Sequence, residues 1–136
     1  MSGYWLLKTE PEEYSFDQLV ADRRTVWDGV SNNLALKYLR KMKMGDKVLV
    51  YHTGNERAVV GIAEVMSNPY PDPDADDDKQ VVIKIKPIRK LPYPVPLADI
   101  KGNKTFKDFE LVRISRLSVV PVKKIYWSTI LGMGGL

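Results

Sequence analysis

Asp46-Lys-Val-Leu-Val-Tyr-His-Thr53 and Ala58-Val-Val-Gly-Ile-Ala-Glu-Val-Met66 are two runs rich in aliphatic and aromatic residues, joined by Gly54-Asn-Glu-Arg57. Such runs, separated by a short glycine-containing link, read as paired strands with a hairpin-like turn. Upstream, Tyr4-Trp-Leu-Leu-Lys-Thr9 is a further strand, stopped at Glu10-Pro11 because proline brings no backbone donor and holds the preceding residue extended. Ser15-Phe-Asp-Gln18 has the spacing of a capping box and predicts a helix to about Asp22. Thr25–Val30 is a short extended piece punctuated by Gly29. From Asn33 to Met42 the apolar residues Leu34, Leu36, Tyr38, Leu39 and Met42 partly follow helical spacing, with Asn32 or Asn33 as cap and Gly45-Asp46 as the stop.

Downstream, Pro69–Asp78 is a proline- and aspartate-rich surface loop. Gln80–Lys86 alternates as a strand, with Ile83 and Ile85 opposite Lys84 and Lys86, and Leu91–Pro96 is extended and stiff. Leu97–Ile100 and Phe106–Leu111 each allow one helical turn, Arg116–Val122 is extended, and Val122–Leu131 is a closing helix with Gly132 as its terminator. No internal repeat and no separating linker occurs, so residues 1–136 form one domain. Five or six short strands with scattered helices predict an α+β fold, a curled mixed sheet or pseudo-barrel with helices packed outside. The lack of regular strand–helix–strand alternation disfavours a doubly wound nucleotide fold.

Composition narrows the chemistry. The 136 residues are 44% apolar and 28% charged, the balance of a globular protein. Without cysteine there is no disulfide, thiolate zinc site or cysteine nucleophile, and with His52 as the one histidine there is no two-histidine metal site. No metal or cofactor is expected. No apolar run approaches the ~18 residues of a membrane span. The opening Met1-Ser-Gly-Tyr-Trp-Leu-Leu-Lys8 is too short and aromatic for a signal peptide, which predicts a cytoplasmic protein, or a nuclear one in a nucleated host. The formal net charge is +4, but five acids sit in Asp72–Asp78; the remainder sets 21 basic against 12 acidic residues, a net +9. A basic body fits an anionic partner such as nucleic acid, and equally a solvated basic surface.

Four short constellations could form a binding site. Trp27-Asp-Gly-Val-Ser-Asn32 sets a flat aromatic face beside an asparagine able to donate and accept at a base edge; the same residues also suit a core tryptophan and a helix cap. Tyr51-His52-Thr53 ends the expected central strand, where side chains reach a pocket, and His52 with no evident orienting acid suits a structural or binding role better than general base. Lys8 and Glu10 end the first strand, as a phosphate contact or a surface ion pair, and Arg116 with Ser118 borders another. Gly102-Asn-Lys-Thr105 lacks the earlier glycine of a phosphate loop, and the aspartate run lacks calcium-loop spacing.

Taken in order, Tyr4–Pro11, Trp27-Asp-Gly-Val30 with Asn32, Met44-Gly-Asp46, Tyr51–Thr53, Val60–Val65 with Tyr70–Pro73, and Arg116-Leu-Ser-Val with Pro121-Val122 resemble the EVE domain family of the PUA-like superfamily. The resemblance covers nearly the whole chain. It implies a PUA-like mixed pseudo-barrel and the binding of nucleic acid, with a modified base flipped into an aromatic-lined pocket. It implies no catalytic residue. Position by position, it implies that Lys8, Thr9 and Glu10, then Trp27, Asp28, Gly29, Val30 and Asn32, contact the ligand. Tyr51, His52 and Thr53, with Arg116, Leu117 and Ser118, complete the implied set. Ser31 and Leu36 stand where the family usually has arginine, which leaves Lys37, Arg40 and Lys41 as candidate phosphate contacts.

The leading expectation is therefore a non-catalytic DNA- or RNA-binding module that reads a modified base. Two alternatives belong to other classes: an enzyme acting on a small nucleoside or amide through His52 or Lys8, and a protein-interaction module that docks a partner on the acidic loop. A monomer is the default.

Overall fold

The computed structural model describes residues 3–77 and 79–136, so Met1, Ser2 and Asp78, the last residue of the acidic stretch, lie outside the described residues. Seven strands are β1 (Tyr4–Thr9), β2 (Thr25–Trp27), β3 (Lys47–His52), β4 (Ala58–Val65), β5 (Tyr70–Pro71), β6 (Val81–Pro96) and β7 (Val119–Pro121). Five α-helices are α1 (Phe16–Asp22), α2 (Asn33–Lys41), α3 (Leu97–Lys101), α4 (Glu110–Arg113) and α5 (Lys124–Met133). The sheet order is β2-β6-β4-β3-β1-β7, with the two-residue β5 on the side of β6, and the six-strand path curls into a half-barrel. The α+β pseudo-barrel with flanking helices is the fold expected.

The anticipated hairpin is the middle of this sheet. β3 and β4 pair antiparallel from Lys47↔Glu64 to His52↔Ala58, and every residue of both except Lys47 and Glu64 is buried. That explains their near-continuous apolar sequence, because both faces are covered. β1 runs parallel to β3 (Thr9↔His52), so the two strands end side by side at one rim. This parallel pair places Lys8–Glu10 beside Tyr51–Thr53.

Helix starts follow the sequence closely. Ser15 Oγ accepts the Gln18 N–H at 3.0 Å and Asn32 Oδ1 accepts the Ala35 N–H at 3.0 Å, so each satisfies an otherwise orphan donor. Only half of the expected capping box forms: the Gln18 amide donates to Asp22, one turn on, instead of reaching back to Ser15.

Five expectations change in three dimensions. The surface loop expected over Pro69–Asp78 contains the two-residue strand β5, which pairs with Val81 and Val82 of β6. The segments Gln80–Lys86 and Leu91–Pro96 are parts of one strand, β6, because the Pro87–Lys90 interruption is absorbed as a register shift opposite Ile62/Ala63. A second shift opposite Val59/Gly61 spans Leu91–Pro94, and such bulges bend the strand and curl the sheet. Phe106–Leu111 is not one turn: a 3-10 turn (Lys104–Phe106) is followed by α4, which lets Phe106 and Phe109 both close on Tyr126 at 5.5 and 4.7 Å between ring centroids. The extended run Arg116–Val122 shrinks to Val119–Pro121, leaving Arg116, Leu117 and Ser118 in the preceding loop. Gly132 lies inside α5; the cap is Gly134, packed so tightly on Leu91 that a Cβ would come within 2.9 Å of it.

Candidate functional site

The rim where β1 and β3 end in parallel opens into a cleft with two lobes. Both lobes share a wall of Lys8, Thr9, Glu10 and Ser118. The wall is held by short local bonds. The Thr53 N–H donates to the Thr9 carbonyl at 2.9 Å, Thr9 Oγ1 donates to the Tyr14 carbonyl at 2.8 Å, and Thr53 Oγ1 reaches Glu10 Oε2 at 3.3 Å. Gly54 is required beside it: its φ is +74°, and a Cβ would come within 2.7 Å of the Glu10 carboxylate.

The first lobe, of about 630 Å³, runs along the chain from Trp27 to Asn32. Trp27 closes the end of β2, 8% exposed, and meets Tyr14 edge-to-face with centroids 6.2 Å apart and planes at 82°. The indole is thus rigidly backed while still lining the lobe, as a stacking wall needs. Gly29, at φ +77°, turns the chain so that Asp28, Ser31 and Asn32 come to the opening. The Asn32 carbonyl oxygen is spent on the α2 cap, which leaves the amide NH2 as its group for a ligand. Core tryptophan and helix cap, on one side, and pocket wall, on the other, are therefore compatible roles for the same residues.

The second lobe, of about 460 Å³, lies between the ends of β1 and β3, the β3–β4 turn, α3 and the loop before β7. Tyr51 is its buried aromatic floor, with Lys8 Nζ 5.6 Å from the ring centroid. Burial lowers the Lys8 pKa below the ordinary lysine value, and Lys8 Nζ donates to the Ser115 carbonyl at 2.8 Å. Burial also raises the Tyr51 phenol, against the pull of the Arg57 charge. Arg57, Lys101 and Arg116 complete the cationic side.

The lobes differ in charge. Lys8 is opposed by Glu10, Glu13 and Asp28 in the first, a formal −2; Lys8, Arg57, Lys101 and Arg116 face Glu10 alone in the second, a formal +3.

Most residues singled out in the sequence converge here: Lys8, Thr9 and Glu10 on the common wall, Trp27–Val30 and Asn32 in the first lobe, Tyr51, Thr53 and Arg116 in the second, and Ser118 in both. Others do not. His52 points to the opposite side of β3 from Tyr51; its Nδ1 is 2.7 Å from Glu56 Oε1 and its Nε2 accepts the Phe16 N–H at 3.0 Å. An orienting acid thus exists, but the ring is 7% exposed, lines neither lobe and ties α1 to the sheet. Leu117 is a core residue, 2% exposed, turned inward by the loop that leads into β7. Lys37, Arg40 and Lys41 line neither lobe; Arg40 donates to the Lys79 carbonyl at 2.8 Å and Lys41 lies over Tyr38. Of the two unusual positions, Ser31 lines the first lobe and Leu36 is buried in the core.

Tyr14, Glu13, Arg57 and Lys101 also line the lobes, and no local pattern in the sequence marks them. Each looks like an ordinary surface residue in isolation. The Ala58↔Pro96 pairing and the bond from the Leu97 N–H to the Arg57 carbonyl at 2.8 Å bring Arg57 and α3 together across 40 residues of chain. Among the described residues, no helix is long and apolar enough to cross a membrane.

Known proteins share this architecture. A protein from Agrobacterium tumefaciens, solved by crystallography, is 38% identical with a TM-score of 0.95, over 99% of this chain and 94% of that one. Human thymocyte nuclear protein 1 is 26% identical in sequence, over 98% of this chain and 74% of its own length. A crystal structure of that human protein in complex with 5-methylcytosine-containing DNA superposes with a TM-score of 0.90, covering 99% of both chains. With the EVE domain model matching residues 3–133, the chain belongs to the EVE domain family.

Proposed function

We propose that this protein is a non-catalytic reader of a modified base in nucleic acid, holding the extruded base in the first lobe. The carrying observation is the composition of that lobe: a buried, edge-supported Trp27 wall flanked by Asp28, Asn32 and Glu10, which together offer a stacking face and base-edge donors and acceptors. The net negative lining suits the exocyclic amine of a base and repels a phosphate. The likeness to the human protein solved with 5-methylcytosine-containing DNA supports a methylated cytosine in DNA as the first ligand to test. A non-catalytic role is supported by His52, whose two ring nitrogens are engaged away from the cleft. Lys8 and Glu10, at the base of both lobes, act in this reading as positioning contacts.

The test is fluorescence anisotropy with matched oligonucleotides, DNA and RNA, unmodified or carrying methylated or hydroxymethylated cytosine or methylated adenine, at two salt concentrations. One modified probe is expected to bind preferentially and to keep that preference at the higher salt. Stacking of a base on an aromatic ring is worth about 1–3 kcal/mol, so Trp27→Ala is expected to weaken the preferred probe by roughly 5- to 150-fold. Equal affinity for all probes, or a preference untouched by Trp27→Ala, rejects the assignment.

A further inference from the structure

The second lobe is the more basic half of the cleft, and the base-reading role leaves it without a task. Besides Lys8 on the shared wall, its cations come from three separate elements: Arg57 from the β3–β4 turn, Lys101 from the end of α3 and Arg116 from the loop before β7. Among the described residues none of the three is in a salt bridge. The one carboxylate of the lobe, Glu10, sits on the wall shared with the first lobe and already accepts from Thr53 and the Glu12 N–H.

Arg57 carries a second signal. Its φ is +47°, in the left-handed region that glycine or asparagine occupies more easily than a long side chain. The turn holds it there through the Leu97 N–H bond to its carbonyl. Arg23 has a similar backbone as the cap of α1 and lines neither lobe, so what sets Arg57 apart is a strained backbone together with its place on the lobe.

We propose that the second lobe is a phosphate subsite, in which the guanidinium groups of Arg57 and Arg116 and the ammonium of Lys101 hold a backbone phosphate next to the base seated in the first lobe. This rests on the base-reading role and divides the cleft by charge: the −2 lobe takes the neutral base, the +3 lobe takes the anion. The shared wall at Lys8–Glu10 and Ser118 makes the two subsites adjacent, as a base and its own backbone require. It moves the phosphate contacts from Lys37, Arg40 and Lys41 on α2 to the rim. Guanidinium forks suit phosphate oxygens in geometry as well as in charge.

The experiment measures the slope of log affinity against log salt for a DNA oligonucleotide with 5-methylcytosine and for its unmodified match. The proteins compared are the wild type, Arg57→Asn with Arg116→Gln, and Lys37→Gln with Lys41→Gln. Asparagine tolerates the left-handed backbone, so Arg57→Asn removes the charge and keeps the turn. Each lost phosphate contact is expected to flatten the slope by about one unit, hence about two for the rim pair, with the methylated-to-unmodified affinity ratio retained. An unchanged slope in the rim pair overturns the subsite, and a slope lost in the α2 pair alone returns the contact to α2. A flattened slope in the rim pair with no methyl preference in the wild type upholds the phosphate subsite and rejects 5-methylcytosine as the base read in the first lobe. Absence of any DNA binding by the wild type overturns the subsite. If Arg57→Asn lowers the melting temperature, Lys101→Gln with Arg116→Gln, both on ordinary backbone, carries the same test.

Discussion

Asp46 is 2% exposed and accepts three N–H groups: the Gly3 amide at 2.7 Å, the Trp5 indole at 2.9 Å and the Lys43 amide at 3.0 Å. A buried carboxylate is tolerated only when its lone pairs are filled in this way, and here they staple the turn before β3 to the first strand. Asp46→Ala would leave three donors without their partner, the buried Trp5 indole among them, and a loss of about 2–3 kcal/mol in urea-determined stability is expected. His52 acts at the same scale. With Nε2 accepting from Phe16, the neutral ring places its proton on Nδ1, toward Glu56. His52→Ala is expected to cost about 2 kcal/mol by leaving the Phe16 N–H unpaired, and the folded fraction should bind oligonucleotides as the wild type does. Lost binding at full stability would instead place His52 in the cleft's function.

Between elements, the closest fit is α1 on the sheet. The Phe16 ring lies over Gly61 of β4 so tightly that a Cβ there would sit 2.5 Å from ring carbons. Glycine in a strand interior is unfavourable in itself, and its presence in a buried strand marks this close approach. Gly61→Ala is expected to destabilise by about 2–3 kcal/mol through overpacking, and Gly61→Ala with Phe16→Leu should recover part of it, as thermal melts of both would tell. The α2 cap offers a milder test with a functional side. Asn32→Asp keeps the cap acceptor and loses the amide NH2, so stability should hold while modified-base preference falls; Asn32→Ala should lose about 1 kcal/mol as well.

At the scale of the whole molecule, titration joins stability to the cleft. The Glu64 carboxyl is held below its ordinary value, first by the hydrogen bond from Lys47, with Lys86 at 3.4 Å adding to it. The stability it contributes is present above the ordinary glutamate range and is lost as the pH falls through the depressed folded value. On the alkaline side, burial raises Tyr51 above 10.0. Above about pH 10 the unfolded chain sheds that proton while the folded chain keeps it, so stability declines with rising pH. Urea midpoints measured from pH 3 to 11 should show both limbs, with Glu64→Gln flattening the acid limb and Tyr51→Phe the alkaline one. The Glu64 effect should be modest, since the pair is solvent-accessible.

Much of this was legible in the order of residues. The β3–β4 hairpin, the first strand, both helix caps and the aromatic-polar run Trp27–Asn32 depend on neighbours within a few positions, where periodicity and capping chemistry act. The family resemblance carried the fold further and pointed to one end of the sheet. Local patterns could not show that Pro87 and its flanks form a bulge and not a break, because that depends on β4 as partner strand. Nor could they separate Tyr51 from His52: adjacent residues on a strand face opposite sides, and only the packing of α1 decides which side is core and which is cleft. The charge split between the lobes is wholly tertiary. Arg57, Lys101 and Arg116 are distant in the chain, and they become one cationic wall because β4 pairs with β6 and β1 lies beside β7, an arrangement settled by long-range strand pairing and burial.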